Sequence, residues 1–310
     1  MAAYRIISFD GGGIRGVVSL KLLQRLEQIC PGLVSRTDLF AGTSTGGIIA
    51  LGLAAGKTTQ ELLDLYVLNG QRIFDSSWLR DIVDIGDIAG AQYDSANLRE
   101  ILQTQFGNLT LDQLQKRVLI PSFELDYKDP ANPATQFWSP KFFHNFPGPD
   151  SDGGELVVDV ALDTSAAPTY FPSHGDYIDG GVLANNPAMA AVAQTQDDRA
   201  QIDPRPGLDN LLVLSLGTGT GLSYISGGDH DWGLAQWAKP LVNILFDASM
   251  DIADYQCRQI LRDRYRRIAP VFPPGMNIKM DEWQRAQDLV NFAAAADLGG
   301  VPDWLQKAAW

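Results

Sequence analysis

The sequence contains few of the residues that build disulfide frameworks or metal sites. Cys30 and Cys257 are the only 2 cysteines, which excludes a dense disulfide framework and a multi-cysteine metal site. The 3 histidines, His144, His174 and His230, are widely spaced and form no metal-binding motif. The sequence also has no acidic calcium-binding loop. We therefore expect neither a metal nor another cofactor.

Basic residues are also scarce. The chain has 24 Lys and Arg against 37 Asp and Glu, and its formal net charge is −13. Nucleic-acid binding needs clustered Lys and Arg, so the charge argues against nucleic acid as a partner. It also argues against electrostatic docking on anionic membranes. Contact of an apolar patch with a membrane or micelle surface stays open.

Long hydrophobic runs are missing. The longest run of small and apolar residues, Gly46–Gly56, has 11 residues, whereas about 20 are needed to span a bilayer. The first apolar segment begins at Tyr4, which leaves no room for a cleavable signal peptide. A hydrophobic fraction of 45% and a charged fraction of 20% are typical of globular proteins. We therefore expect a soluble cytoplasmic protein.

Apolar segments with strand character alternate with segments whose apolar residues recur at helical spacing. This alternation predicts an α/β fold, a three-layer α/β/α sandwich with a mostly parallel central sheet. No internal repeat or interdomain linker is visible, so we expect a single domain over residues 1–310. The predicted strands are Tyr4–Phe9, Asp38–Ala41, Val118–Leu125, Gln136–Ser139, Tyr177–Val182, Leu211–Leu216 and Arg264–Val271. The predicted helices are Ile14–Ile29, Gly47–Ala55, Thr58–Phe74, Ser95–Phe106, Thr110–Gln115, Leu156–Thr164, Pro187–Gln196, one or two helices between Trp232 and Arg262, and Asp281–Ala296, with an irregular cap over 75–93.

A glycine-rich turn with the form G-x-S-x-G occupies Gly42–Gly46. It follows the second predicted strand and precedes a helix of small residues, and this pattern is typical of a bend that exposes a serine hydroxyl. A serine at a helix start also gains the helix dipole, which stabilises developing negative charge. Ser44 is therefore a candidate nucleophile. The alternative is a β–α turn in which the serine only caps the helix.

A second glycine-rich turn, Asp10–Gly16, lies between the first strand and the first helix. Its row of backbone N–H groups suits it to hold negative charge, as an oxyanion hole does. The spacing Gly11-x-Gly13-x-x-Gly16 also matches a dinucleotide-binding fingerprint, which needs an acidic residue about 20 positions later. Asp38 is near that distance but begins its strand, whereas a ribose-binding acid ends one. The dinucleotide interpretation is therefore the less favoured one.

A general base for Ser44 has three candidates. His174 and His144 both lie in loop segments, where a histidine is more often a polar surface residue. Asp179 precedes two glycines after a short apolar strand, and a carboxylate buried at a sheet end has a raised pKa that lets it accept a proton. An aspartate before glycines is also a common turn residue, so the residue pattern leaves the choice open.

These motifs together resemble those of the patatin-like phospholipases, a family of lipid acyl hydrolases. Five blocks occur in the order of that family and cover residues 4–220, while the helical section predicted over 230–310 matches no motif. The blocks are DGGGIRG (Asp10–Gly16), GTSTGG (Gly42–Gly47), TSAAPTYFP (Thr164–Pro172), DGGVLANNP (Asp179–Pro187) and LSLGTG (Leu214–Gly219).

The resemblance implies hydrolysis of fatty-acyl esters of lipids, as a phospholipase A, lysophospholipase or esterase, by a Ser–Asp dyad without histidine. It implies Ser44 as nucleophile, Asp179 as base, and the backbone amides of Gly11, Gly12 and Gly13 as the oxyanion hole. The residues that it implies as support for these motifs are Arg15, Gly16, Gly42, Gly46, Gly180 and Gly181.

Three alternatives stay open. A serine acyltransferase that uses an acyl thioester would share the nucleophile and the sheet but would need a histidine base. An effector that degrades membranes only when a ligand or partner binds would carry the same motifs. A non-catalytic nucleotide-binding module would use the first glycine-rich turn alone.

Two clusters of large apolar residues are candidates for an acyl-chain pocket or an interfacial surface. Packing within the core or the cap is the alternative role for each of them. The clusters are Trp78, Leu79 and Ile82, and Trp232, Leu234 and Trp237.

Overall fold

A seven-stranded sheet lies at the centre of the protein. The computed structural model describes residues 3–74, 91–132 and 134–310. The strands are β1 (Tyr4–Phe9), β2 (Leu39–Gly42), β3 (Arg117–Lys128), β4 (Gln136–His144), β5 (Tyr177–Asp179), β6 (Leu211–Leu216) and β7 (Tyr265–Ile268). Their order is β4–β3–β2–β1–β6–β7, and β5 pairs with β3 beside this path.

Most neighbouring strands are parallel. β1 pairs in parallel with β2 and β6, β2 with β3, and β6 with β7. Only β4 and β5 are antiparallel to their neighbour β3. Parallel strands bring their carboxyl ends to one edge of a sheet, so the turns after β1, β2 and β6 meet there. The predicted mostly parallel sheet is confirmed.

Helices cover both faces of the sheet. Their bounds are α1 (Gly16–Ile29), α2 (Thr45–Ala54), α3 (Thr59–Ile73), α4 (Ala96–Phe106), α5 (Val157–Ser165), α6 (Gly181–Ala184), α7 (Ala188–Gln194), α8 (Leu234–Leu261), α9 (Ala286–Ala295) and α10 (Val301–Lys307). On β1, Ile7 and Phe9 point into one apolar core and Ile6 into the other, as side chains alternate along a strand. The larger core is closed by α1 to α5, α9 and α10, and the smaller by α7 and α8. The predicted layers are therefore present.

Several elements differ from their predicted extent. β3 continues to Lys128 and β4 to His144, because the two strands pair with each other as a long hairpin. The apolar series after Trp232 forms one helix, α8, which contains Pro240. Helix α10 has no counterpart among the predicted helices. Of the predicted cap, residues 75–90 lie outside the described residues, and 91–93 form neither helix nor strand.

None of the helices in residues 3–74, 91–132 and 134–310 combines the length with the apolar character that crossing a bilayer requires. The longest, α8, carries several acidic and basic residues along its length.

A buried asparagine fastens the beginning of β3. The Asn145 side-chain oxygen accepts a hydrogen bond from the Val118 amide at 2.8 Å. Its side-chain nitrogen donates to the Leu111 and Lys116 carbonyls at 2.9 and 3.0 Å. One side chain thus satisfies three backbone groups of segments that the sheet brings together.

We predict that Asn145→Ala lowers the free energy of unfolding by about 2–4 kcal/mol, because it leaves these buried backbone groups without partners. Asn132→Ala is the matched control, since Asn132 is an exposed asparagine in the β3–β4 connection and should change stability by less than about 0.5 kcal/mol. Denaturant unfolding of both variants measures the difference. Equal stabilities of the two variants would contradict the role of Asn145.

Candidate active site

Ser44 stands on a strained bend between β2 and α2. Its φ of 55° and ψ of −123° lie in a region that non-glycine residues rarely adopt. A Cβ atom on Gly42 would lie 1.9 Å from the Gly46 carbonyl oxygen, and one on Gly46 would lie 2.3 Å from the Phe9 carbonyl oxygen. The bend therefore requires both glycines of the G-x-S-x-G motif. It presents the Ser44 side chain to a cavity.

A threonine holds the backbone of this bend. The Ser44 amide donates a hydrogen bond to the Thr164 hydroxyl at 2.9 Å, and that hydroxyl donates to the Pro121 carbonyl at 2.5 Å. Thr164 lies near the end of α5 and is fully buried. Thr164 begins the sequence block Thr164–Pro172, but the sequence alone gives it no role, because Asp163 and Ser165 beside it are polar as well.

Asp179 ends β5 and lines the same cavity as Ser44. It is buried, and its carboxylate accepts a hydrogen bond from the Gly181 amide at 2.7 Å. Burial raises the pKa of Asp179 from 3.8 to about 7, although the Gly181 amide and the Ser44 side chain both lower it. Asp179 is therefore a carboxylate that takes up and releases a proton near neutral pH. A Cβ on Gly180 would lie 2.2 Å from the Pro121 carbonyl oxygen, so only glycine fits after Asp179.

The first glycine-rich turn reaches the cavity through two of its four glycines. Gly12 and Gly13 line it, whereas the Gly11 amide donates to the Asn185 carbonyl at 3.0 Å. Gly11 therefore differs from the expected oxyanion-hole donor, because its N–H group is already used to join two loops. Gly13 has a φ of +58°, which favours glycine. The Ile14 amide fixes the turn by donating to the Met280 carbonyl at 2.8 Å.

A buried ion pair anchors the start of this turn. Arg267 on β7 donates to the two carboxylate oxygens of Asp10 at 3.0 and 2.5 Å, and to the Ser215 hydroxyl at 2.7 Å. Burial alone would lower the pKa of Arg267, but the Asp10 charge raises it overall. Burial raises the pKa of Asp10, and the charge and hydrogen bonds of Arg267 oppose that effect. No sequence motif marks Arg267, because its partner is distant along the chain.

Arg15 and Gly16 support the turn from outside the cavity. Arg15 does not line the cavity, and the Arg15 side chain forms no ion pair among the described residues. Burial lowers the pKa of Arg15, and the charge of Asp247 on α8 opposes that effect. A Cβ on Gly16 would lie 2.3 Å from the Thr45 hydroxyl oxygen. Gly16 therefore lets the first turns of α1 and α2 touch.

The cavity has a polar end and an apolar body. About 600 Å³ of space not filled by protein atoms, open solvent included, lies within it. At its polar end, the buried Asn185 side-chain oxygen has no hydrogen-bond partner among the described residues. The polar end consists of Gly12, Gly13, Ser44, Asp179 and Asn185, and the apolar body includes Ile48, Ile73, Phe74, Leu98, Ala167, Phe171, Phe246 and Met280.

The apolar residues singled out from the sequence do not form this body. Trp78, Leu79 and Ile82 lie outside the described residues, and so does the side chain of Leu234. Trp232 and Trp237 do not line the cavity; their rings pack against each other with centroids 5.0 Å apart.

The histidines considered as bases lie elsewhere. His174 Nδ1 is 2.5 Å from an Asp163 carboxylate oxygen, and its Nε2 contacts the Arg99 guanidinium. His144 is buried, with Nε2 3.5 Å from an Asp150 carboxylate oxygen. Within the described part of the chain, no histidine lines the cavity. Asp179 is the cavity residue whose pKa suits a base.

Comparison with known proteins places this site in a family context. The family model described as patatin-like phospholipase matches residues 7–192. The chain is 33% identical over 278 residues to the cGAMP-activated phospholipase of Pseudomonas aeruginosa, covering 86% of this chain and 78% of that protein. It is 34% identical over 235 residues to protein teg of Priestia megaterium, covering 76% and 69%. It is 29% identical over 303 residues to patatin-like protein 2 of Arabidopsis thaliana, covering 83% and 72%.

The raised pKa of Asp179 predicts a pH dependence of stability. Because the folded state binds the proton more tightly than the unfolded state, ionisation of Asp179 costs stability as pH rises from 3.8 to about 7. Asp179→Asn resembles the protonated acid and escapes this cost. We therefore expect Asp179→Asn to have the same free energy of unfolding as the wild type below pH 3.8 and a higher one above about pH 7.

Denaturant unfolding at a series of pH values measures this difference. Asp229→Asn is the control, because Asp229 is exposed in a loop and should shift stability equally at every pH. A constant difference between wild type and Asp179→Asn would show that the carboxyl is not destabilised by burial.

Proposed function

The chain belongs to the patatin-like phospholipase family, and from that premise we propose that it hydrolyses fatty-acyl esters of lipids with Ser44 as nucleophile and Asp179 as base. The observation that carries the proposal is the meeting of these two side chains in one cavity. The first is exposed by a strained bend, and the second is a buried carboxyl with a pKa of about 7.

Asp179 suits the role of base because the charge of its carboxylate is unpaired. A base acts best when its pKa is near the working pH, because it is then ionised and still basic enough to take a proton. Unlike Asp10, Asp179 has no cationic partner among the described residues. Its carboxylate takes the Ser44 hydroxyl proton as the serine oxygen attacks the ester carbonyl carbon.

The tetrahedral oxyanion formed by this attack would be stabilised by backbone amides at the polar end of the cavity. Gly12 and Gly13 line that end, so their amides are the proposed donors, at a turn followed directly by α1. Collapse of the intermediate breaks the bond to the alcohol, which leaves with the proton from Asp179. Water then attacks the carbonyl carbon of the acyl-Ser44 ester and gives a proton to Asp179. Collapse of this second intermediate breaks the bond to the Ser44 oxygen, which takes the proton back from Asp179, so the fatty acid is released and both side chains return to their starting state.

The apolar body of the cavity suits the acyl chain. Side chains of α2, α3, α4 and α8 surround it, including Ile48, Ile73, Leu98 and Phe246. An apolar chain bound there is removed from water, which favours binding by about 0.8 kcal/mol for each buried CH₂ group. We therefore propose that long-chain acyl esters are preferred.

We propose Asp179 rather than a histidine as the base, which separates this function from an acyltransferase with a histidine base. His174 satisfies the buried carboxyl of Asp163 and contacts Arg99. Those contacts assign it a structural role beside α5.

Covalent labelling with a fluorophosphonate tests the dyad. We expect wild-type protein to label at Ser44, Ser44→Ala not to label, and Asp179→Asn to label at least about 100-fold more slowly because the general base is lost. The labelling rate of the wild type should rise with pH and level off above about 7. Thr43→Ser is the control, because it changes the residue next to Ser44 but keeps the hydroxyl group of that residue. Labelling of Ser44→Ala would overturn the proposal.

Substitution of His174 distinguishes a histidine base from the proposed base Asp179. We expect His174→Ala to keep its labelling rate within a few fold but to lower the unfolding free energy by about 1–3 kcal/mol, because the Asp163 carboxyl loses its partner. Labelling and denaturant unfolding are measured on the same preparation. Complete loss of labelling by a folded His174→Ala protein would assign the base to histidine.

A further inference from the structure

The carboxyl edge of the sheet carries the proposed active site. Ser44 follows the end of β2, and Gly12 and Gly13 follow the end of β1. The segments that extend β3 and follow β6 leave the sheet at the same edge, because these strands are parallel to β2 and β1. They therefore lie on the two sides of the site in the strand order β3–β2–β1–β6.

The β3–β4 hairpin projects beyond this edge. Ser122 pairs with both Asp179 and Lys141, and β3 then continues to Lys128. At about 3.3 Å per residue, this extension reaches roughly 20 Å past Ser122. Trp138 in the extension is 72% exposed, and Phe137 is 44% exposed.

Past Leu125, whose amide donates to the Asp176 carbonyl at 2.7 Å, the hairpin strands pair only with each other among the described residues. The Phe137 ring packs on Tyr127 with centroids 5.0 Å apart, and Trp138 points to the opposite side, as successive strand residues do. Aromatic side chains thus project from both sides of the hairpin. Aromatic side chains on both sides of a hairpin suit insertion among surrounding molecules better than packing against one flat surface.

The segment after β6 exposes apolar residues on the other side of the site. Leu222 is 69% exposed and Tyr224 is 87% exposed. This segment is tied to the end of β7, since the Thr220 amide donates to the Pro270 carbonyl at 2.9 Å. Val271, next to that tie, is 54% exposed. Two separate apolar projections therefore flank the site at one edge.

We propose that these two segments, the hairpin tip (Phe137, Trp138) and the β6 segment (Leu222, Tyr224), dock the protein on a surface of zwitterionic lipids. The proposal rests on the proposed function, since long-chain esters reside in such surfaces rather than free in water. Aromatic side chains with a polar atom, such as Trp and Tyr, prefer the boundary between water and apolar chains. Docking there turns the edge that holds Ser44 toward the lipid.

Charge selects zwitterionic rather than anionic lipids. The chain has a net charge of −13, and the charged residues around the two segments are mostly acidic. They include Glu124, Asp126, Lys128, Asp129, Lys141, Asp229 and Asp231. Anionic membranes are bound through clusters of Lys and Arg, which neither segment has.

The hairpin is poorly suited to a second copy of the chain. Its outer strand β4 contains Pro140 and Lys141, and the pairing with β3 is irregular between Glu124 and Tyr127. Proline, lysine and such bulges are devices that prevent strand-to-strand association. A lipid surface requires no continuation of the sheet.

Sedimentation with phosphatidylcholine vesicles tests the docking, in a Ser44→Ala background so that lipid is not consumed. We expect Phe137→Ala/Trp138→Ala and Leu222→Ala/Tyr224→Ala each to weaken vesicle binding by about tenfold or more, because the apolar area transferred from water is lost. With Ser44 present, the same pairs should lose hydrolysis of phosphatidylcholine vesicles and keep hydrolysis of a soluble short-chain ester.

Ile252→Ala/Tyr255→Ala is the matched control. These side chains are 55% and 62% exposed but lie on the second half of α8, which runs toward the amino end of β7 and away from the site. This pair should bind vesicles as the wild type does. Thermal unfolding of all variants verifies that they are folded.

The docking proposal is overturned if the edge variants bind vesicles like the wild type, or if the α8 control loses as much binding. It is also overturned if the edge variants lose soluble-ester hydrolysis equally, or if size-exclusion chromatography shows that they only dissociate a dimer. If the wild type hydrolyses neither ester while the edge variants alone lose vesicle binding, the proposed function fails and the docking surface stands.

Discussion

The close approach of the start of α2 to the end of β1 is the contact on which the rest of the site depends. Gly46 lies against the carbonyl oxygens of Phe9 and Asp10, where a Cβ would lie within 2.3 and 2.7 Å. This contact forces the sharp bend at Ser44 and places it beside the first glycine-rich turn. The proposed nucleophile and the proposed oxyanion-hole amides thereby share one edge, although they come from different β–α units.

Two buried aspartates show how the surroundings decide the role of a carboxyl group. Asp10 pairs with Arg267, so its charge is compensated and it anchors a loop. Asp179 has one amide and the Ser44 side chain near its carboxylate, and burial raises its pKa to about 7. Breaking a buried ion pair is strongly destabilising because it leaves an uncompensated charge, whereas a buried carboxyl without a cationic partner has a raised pKa. The proposed activation of Ser44 by Asp179 without a histidine rests on this difference.

The outer surface of the protein has features that fit the proposed site. The cavity is apolar beyond its polar end and suits an acyl chain. Exposed aromatic residues on the hairpin and after β6 flank the same edge. An enzyme for water-insoluble esters needs both features, because the substrate must be met at a surface before its chain is bound. The parallel sheet accounts for their shared location.

The sequence by itself determined the parallel sheet, the bend at Ser44 and the candidates Ser44 and Asp179. Hydrophobic periodicity and glycine-rich turns are local, so they can be read from neighbouring residues. Only the tertiary structure decided that the Gly11 amide is used by Asn185, that Arg267 holds Asp10 and that Thr164 holds Ser44. It also decided which apolar side chains line the cavity. Each of these contacts joins segments far apart in the chain, and its energy depends on a distance that no local pattern records.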